Sequence, residues 1–303
     1  PDLALFVESD LWPNRIIEAS RRRVPMILIN GRLSENSYRR WRYLPAAITD
    51  LLHRFDLCLA RTTGDAERLS ALGAPRIVTS GNLKLDVPAP PFNDAHLAAL
   101  KRAIGERPVV AAASTHEGEE AAMIEAHGRL APNFPGLLTV IAPRHPERGQ
   151  AIAEEVAAAG ITAKLRSRGE LPDAKTDIYV ADTLGELGVF YRLADTAFVG
   201  GSITPKGGHN PLEPARLGAA ILHGPHTFNF VETYQLMREA GGAALVRNER
   251  ELAAAIRRLF ADSKTRAAVV DAARESAERN AEKTLADICD TLLEKFPAEA
   301  DAP

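Results

Sequence analysis

Short apolar runs alternate with stretches of helical period along most of the chain. Residues 3–7, 25–29, 57–61 and 76–80 read as strands, and 12–22, 36–54 and 64–72 as the helices between them. Parallel strands need a crossover of about a dozen residues or more, commonly a helix, so strict alternation predicts a parallel sheet flanked by helices. Pro13 falls in the first turn of its helix, where a missing N–H is harmless, and Gly73 follows Leu72 as a stop. Three prolines within Val87-Pro88-Ala89-Pro90-Pro91 interrupt the pattern, which places a domain boundary between 1–87 and 88–303. After it, strands are expected near 108–113, 137–142, 162–166, 177–180, 196–199 and 219–222. Helices are expected at 93–104, 117–130, 147–158, 185–193 and 211–217, with continuous helix from Glu249 to about Phe296. The reading is α/β throughout: two Rossmann-like doubly wound domains facing a cleft. The chain opens on Pro1 and enters a strand at once, so the first domain is expected to be incomplete.

Composition narrows the function classes. A net charge of -3 argues against a nucleic-acid binder, although between Leu11 and Ile48 eight arginines stand against Glu18 and Glu35. Such a local excess suits an anionic membrane surface or a phosphorylated substrate, and equally a solvated helical face. Two cysteines without a C-x-x-C pair support neither a disulfide framework nor a zinc site. No run reaches the roughly 18 apolar residues of a membrane-spanning helix.

Ligands of open parallel sheets bind beyond the carboxyl ends of the strands, where helix N-termini offer unpaired N–H groups to anions. Four junctions of the second block fit. Ser114 and Thr115 open the first, in Ala113-Ser114-Thr115-His116-Glu117-Gly118, and serve as N-caps or as ligand contacts. Arg144, His145 and Arg148 follow the next strand, where two arginines and a histidine suit an anion; Arg148 can instead pair with a carboxylate on its own helix. Thr183-Leu184-Gly185-Glu186 has the spacing of a capping box. In Lys206-Gly207-Gly208-His209-Asn210-Pro211-Leu212-Glu213-Pro214, Asn210 is placed as N-cap and Pro211 as N1. Glu213, at N3, either reaches back to the cap or faces outward to accept ribose hydroxyls. In the first block, Glu8, Asp10 and Asn14 follow one strand, Asn30, Arg32 and Ser34 the next, and Gly81-Asn82-Leu83-Lys84 the last. The chain lacks D-x-D after a strand and H-x-x-x-H, which argues against a bound catalytic metal. It also lacks G-x-x-x-x-G-K-[ST] and G-x-G-x-x-G, which argues against a P-loop NTPase or a dinucleotide enzyme.

Taken in order, Glu8–Asn14, Asn30–Ser34, Gly81–Asp86, Ala113–Glu120, Pro143–Arg148 and Gly207–Pro214 resemble the 3-deoxy-D-manno-octulosonic acid (Kdo) transferases. The resemblance implies a GT-B architecture and inverting, metal-independent transfer of Kdo from CMP-Kdo to the lipid A precursor (lipid IVA), with no cofactor. It implies a protein peripheral to the cytoplasmic face of the bacterial inner membrane. Ser114, Thr115, Arg144, His145, Arg148, Lys206, Gly207, Gly208, Asn210 and Glu213 would then hold the donor, and Lys84 the sugar carboxylate. Glu8, Asp10, Asn30, Arg32 and Ser34 would line the acceptor side. The family also carries an earlier N-terminal segment with a membrane-associated stretch and a glutamate resembling a general base. An inverting transfer needs such a base, and within this chain Glu8 is the candidate substitute. A UDP-GlcNAc 2-epimerase-like enzyme and a donor-binding module without activity are the alternatives.

Overall fold

The computed structural model describes residues 1–83, 89–281 and 284–296, with backbone only at 279–281 and 284. Cα packing separates two units, Pro1–Val87 with Asn280–Pro303, and Pro88–Arg279.

Unit 1 runs β1 (Ala4–Val7), α1 (Pro13–Arg21), β2 (Met26–Gly31), α2 (Glu35–Trp41), α3 (Pro45–Leu52), β3 (Leu57–Ala60), α4 (Thr63–Ala71) and β4 (Ile77–Thr79). Its four parallel strands lie in chain order, β1-β2-β3-β4. The period-2 alternation decides the faces. Leu28 and Cys58 point into a core with Ile16, Ile48, Leu52 and Leu69 of the crossover helices. Ile27, Ile29, Leu57 and Leu59 point the other way, onto Ile288 and Leu292 of α13 (Thr284–Lys295). The helical tail expected to belong with the second domain is therefore divided, because α13 packs, with Leu3 and Leu83, on the far face of the first sheet. The single helix expected over 36–54 is two, since Pro45 opens α3 and cannot continue α2.

Unit 2 runs α5 (Asp94–Ile104), β5 (Val109–Thr115), α6 (Glu119–Leu130), β6 (Leu138–Pro143), α7 (Gly149–Ala158), β7 (Ala163–Leu165), β8 (Ile178–Val180), α8 (Leu187–Tyr191) and β9 (Thr196–Val199). It continues through α9 (Leu212–Arg216), β10 (Ala220–His223), α10 (Val231–Glu239), β11 (Ala243–Leu245), α11 (Glu249–Ala261) and α12 (Ser263–Ala281). The parallel strand order is β11-β10-β9-β5-β6-β8-β7. From β5 the chain steps outward through β6; at β9 it returns to the other side of β5 and steps the opposite way. Val110 and Ala112 pack under α6, α7 and α11, while Val109 and Ala111 pack under α5 and α8. Helix α10 and strand β11 were not expected: α10 has no side-chain cap to announce it, and Ala243-Ala244-Leu245 is too short to show a period. The continuous C-terminal helix breaks at Asp262, whose carboxylate accepts the N–H groups of Lys264 and Thr265 and so starts α12. Among the described residues no helix is long and apolar enough to cross a membrane.

Candidate functional site

The neighbours β5 and β9 form the switch point of unit 2, and the crevice where ligands of such sheets bind is sought beyond their carboxyl ends. Beyond β5, the ladder with β6 shifts register between Ala113 and Thr115, and Ser114 takes a left-handed φ of 55°. This bulge leaves Ser114 partly exposed, while Thr115 stays fully buried near Glu120 and outside hydrogen-bonding geometry with it. The Thr115 hydroxyl, buried and without a hydrogen-bond partner, is not exposed in this arrangement.

The residue that shapes this crevice is Glu119, in the first turn of α6 and fully buried. Its Oε2 accepts from the N–H groups of His116 (3.0 Å) and Gly201 (2.7 Å). Its Oε1 accepts from Ser202 (2.9 Å), Ile203 (2.9 Å) and Thr204 (3.3 Å). One carboxylate ties the loop after β9 to the loop after β5. Sequence reasoning missed it, because an acid in a first helical turn reads as a dipole partner and nothing more. Glu120 is also fully buried; burial raises its pKa, and Arg148 Nη2 approaches its Oε2 to 3.4 Å. Arg148 Nη1 lies 3.8 Å from Glu117. Arg148 is therefore committed to carboxylates at the start of α6, and not to one on its own helix.

Above these buried acids the accessible face is basic. Arg144 and Lys206 are exposed and form no ion pair among the described residues. His116 stacks on His209 with ring centroids 5.3 Å apart, and His145 packs edge-on to His116 at 5.8 Å. Burial lowers the pKa of His116 and takes that of His209 down to about 4. An anion entering this crevice meets cations at its rim and neutral imidazoles at its floor.

The glycine-rich segment fixes the other wall. Gly207 and Gly208 have φ of 95° and 71°, and a Cβ on Gly207 would stand 2.4 Å from Asn229 Nδ2. Asn229 donates to the carbonyl of Lys206 at 3.0 Å, so this tight turn is packed as well as bent. Asn210 accepts from the N–H of Leu212 at 3.0 Å, the bond from the second residue on that an N-cap makes, although the regular helix α9 starts only at Leu212. Glu213 is half-buried and reaches back to the Asn210 side chain, taking a long hydrogen bond from its Nδ2 at 3.4 Å in place of the backbone N–H that a capping box uses. Burial raises its pKa.

Thr183-Leu184-Gly185-Glu186 is not a capping box. Gly185 has a φ of 78°, α8 begins only at Leu187, and the Glu186 carboxylate is taken by Arg166 (2.8 Å), His96 (2.8 Å) and the Thr183 hydroxyl. Those partners pull its pKa down to about 2, Arg166 foremost.

In unit 1, Glu8 and Asn30 both have left-handed φ, 59° and 52°, at the ends of β1 and β2. Glu8 is half-buried and Asp10 exposed. Asn30 is buried and accepts from the N–H of Leu83 at 3.2 Å. Ser34 caps α2 by accepting from Ser37 N–H at 3.2 Å. The loop of Arg32 is held from below by buried Asp65, which accepts the N–H of Leu33 at 2.9 Å and the Arg68 guanidinium at 3.0 Å. Asp65 too escaped sequence reasoning, because its partner loop is remote in the chain. Lys84 lies outside the described residues.

A family model described as 3-deoxy-D-manno-octulosonic-acid transferase (kdotransferase) matches residues 1–87. The chain is 33% identical to the 3-deoxy-D-manno-octulosonic acid transferase of Haemophilus influenzae, over 97% of this chain and 70% of that protein. To the Bordetella pertussis transferase it is 37% identical over 90% of this chain and 65% of that protein. Thus the chain spans about two thirds of the length of these relatives. Among solved structures, the C-terminal CMP-Kdo binding domain of WaaA from Acinetobacter baumannii is similar, with a TM-score of 0.58 and 30% identity. That match covers 60% of this chain and 96% of that one. A putative UDP-N-acetylglucosamine 2-epimerase from Listeria monocytogenes has a TM-score of 0.59 at 15% identity, covering 100% of this chain and 77% of that one. At that identity the likeness is one of fold.

Proposed function

This chain belongs to the 3-deoxy-D-manno-octulosonic acid (Kdo) transferase family, and from that premise we propose that its second unit binds CMP-Kdo in the crevice beyond β5, β6 and β9. The observation that carries the reading is the pair of exposed cations, Arg144 and Lys206, beside the clustered imidazoles of His116, His145 and His209, while the buried acids Glu119 and Glu120 are committed to the protein's own amides and to Arg148. Glu213, beside Asn210, accepts the ribose hydroxyls, and Ser114 and the histidines approach the phosphate. Gly207 and Gly208 let the nucleotide come close to the backbone, and Lys84 is assigned to the sugar carboxylate.

The activity proposed is that of the family, transfer of Kdo to the lipid A precursor, here with inversion and without a metal. Glu8, Asp10 and Arg32 serve the acceptor side, Asn30 and Ser34 holding their loops, and Glu8 is the candidate base within this chain. Unit 1 suits the cytoplasmic face of the inner membrane, because Arg39, Arg40, Tyr43 and Leu44 are all exposed on adjacent turns of α2 and its exit. Titration calorimetry with CMP tests the donor reading: CMP binds, and UMP binds more weakly. Absence of CMP binding, or tighter binding of UMP, defeats it, the latter in favour of the epimerase-like alternative.

A further inference from the structure

The donor site holds a pair of imidazoles, His116 and His209, whose proton chemistry goes beyond contact with the donor. The Nε2 atoms of His116 and His209 stand 3.0 Å apart, with the rings within 5° of parallel. At that distance one nitrogen carries a hydrogen and the other accepts it; two imidazolium rings cannot share the contact. Gly201 lies beneath both rings, and even a Cβ there would come within 3.0 Å of His209 and 3.4 Å of His116. The rings are thereby confined to this arrangement.

Every element packed around the pair bears on its charge. Arg144 and His145, from the loop after β6, and Lys206, from the loop after β9, disfavour a proton; Glu119, from α6, favours one. Burial adds to the cationic side, so the pair is neutral at physiological pH while the free protein has no anion in place. Several backbone amides beside the pair are already used. Gly201, Ser202, Ile203 and Thr204 donate their N–H groups to Glu119, Gly200 to Ala113, and Gly208 to Gly201. A glycine loop usually turns such amides toward a phosphate; here an incoming anion meets side chains instead.

We propose that the His116–His209 pair is the phosphate contact of the donor site and takes up one proton from solvent when the nucleotide binds, which makes donor binding proton-linked. The proton goes to the unprotonated Nδ1 of the ring that donates through Nε2, so the bond within the pair is kept, that ring becomes an imidazolium with a second N–H, and its charge balances the single negative charge of a phosphodiester. This inference rests on the donor-site reading above.

The test is titration calorimetry of the full chain with cytidine 5′-(methyl phosphate), a diester whose charge does not titrate near neutrality, in buffers of different protonation enthalpy. The expected result is uptake of about one proton per nucleotide near neutral pH, with affinity strengthening up to about tenfold for each pH unit of acidification. His116→Gln and His209→Gln bring the uptake close to zero, and His145→Gln retains it. Proton NMR of the histidine C2–H signals in the unaltered protein gives the same answer without a variant: two titration midpoints rise when the nucleotide is added. Nucleotide binding with no proton uptake and unmoved midpoints overturns the proton linkage and leaves the donor site standing. Uptake that vanishes in His145→Gln overturns the assignment to the pair. No binding at any pH overturns the donor-site reading and the linkage together.

Discussion

Glu119→Gln is the sharpest perturbation of this fold. The carboxylate accepts three N–H groups on one oxygen and two on the other. A glutamine keeps one oxygen, which serves best in place of Oε1. Its NH₂ then points at the N–H groups of His116 and Gly201, donor against donor. Two hydrogen bonds to a charged acceptor are lost at about 1.5–3 kcal/mol each, or about 3–6 kcal/mol together. That is a large share of the roughly 5–15 kcal/mol that stabilises an ordinary domain. The two units give the measurement an internal control. Both tryptophans, Trp12 and Trp41, lie in unit 1, so fluorescence follows that unit, whereas far-UV circular dichroism also follows the larger unit 2. In urea, the circular-dichroism transition of unit 2 moves to lower denaturant in the variant while the tryptophan transition stays. The two transitions are fitted separately, because a two-unit chain is not one two-state system. A unit 2 transition displaced by less than about 1 kcal/mol would refute the reasoning, since Glu119 would then contribute no more than an ordinary surface acid.

Three further outcomes follow from particular side chains. Glu213→Ala weakens CMP binding by about 10- to 100-fold in calorimetry, the loss of hydroxyl hydrogen bonds to a charged acceptor, with urea stability nearly unchanged; equal affinity removes Glu213 from the site. Arg148→Ala destabilises unit 2 by leaving Glu120 buried and uncompensated, and adding Glu120→Gln restores part of the loss. A double variant no more stable than the single one contradicts that coupling. His223 is fully buried and its ring donates from Nδ1 to the Gly224 carbonyl at 2.7 Å, and burial takes its pKa down to about 4. Because the unfolded chain binds that proton first, stability is full above about pH 6.5 and declines as pH falls toward 4, by on the order of 3 kcal/mol. His223→Leu flattens this acid limb in urea melts at a series of pH values, and an unchanged slope rejects the assignment.

Much of this molecule is written locally. Apolar runs such as Met26–Ile29, Leu57–Ala60 and Leu138–Ile141 are strands wherever they sit, because their period and branched side chains suit a pleated surface. Helix starts with a side-chain cap, at Ser34, Thr62 and Asn93, carry their own signal; α10, which lacks one, gave none. The polar residues after each strand marked the carboxyl edge of the sheet, and so the region of the site, from chain order alone. Their individual duties were less legible. Glu186 has the spacing of a cap and is an ion-pair partner; Thr115 looks exposed and is buried; Arg148 pairs with acids on another helix.

The segment Lys206–Pro214 shows the division most clearly. Its glycines, its Asn210 and its proline determine a tight turn leading into a short helix, since φ above zero and a missing N–H are properties of single residues. What faces that turn was decided only when β9 paired beside β5. That pairing brings His209 onto His116 across 93 positions of chain and gives Glu119 the amides of a loop more than 80 residues away. In the same way, α13 is amphipathic by sequence, but which sheet it covers depends on which apolar face remains open after the other helices have packed. Backbone preference acts over a few residues and is written in them. Hydrogen bonds and burial between remote segments depend on strand order, and strand order is a property of the folded chain.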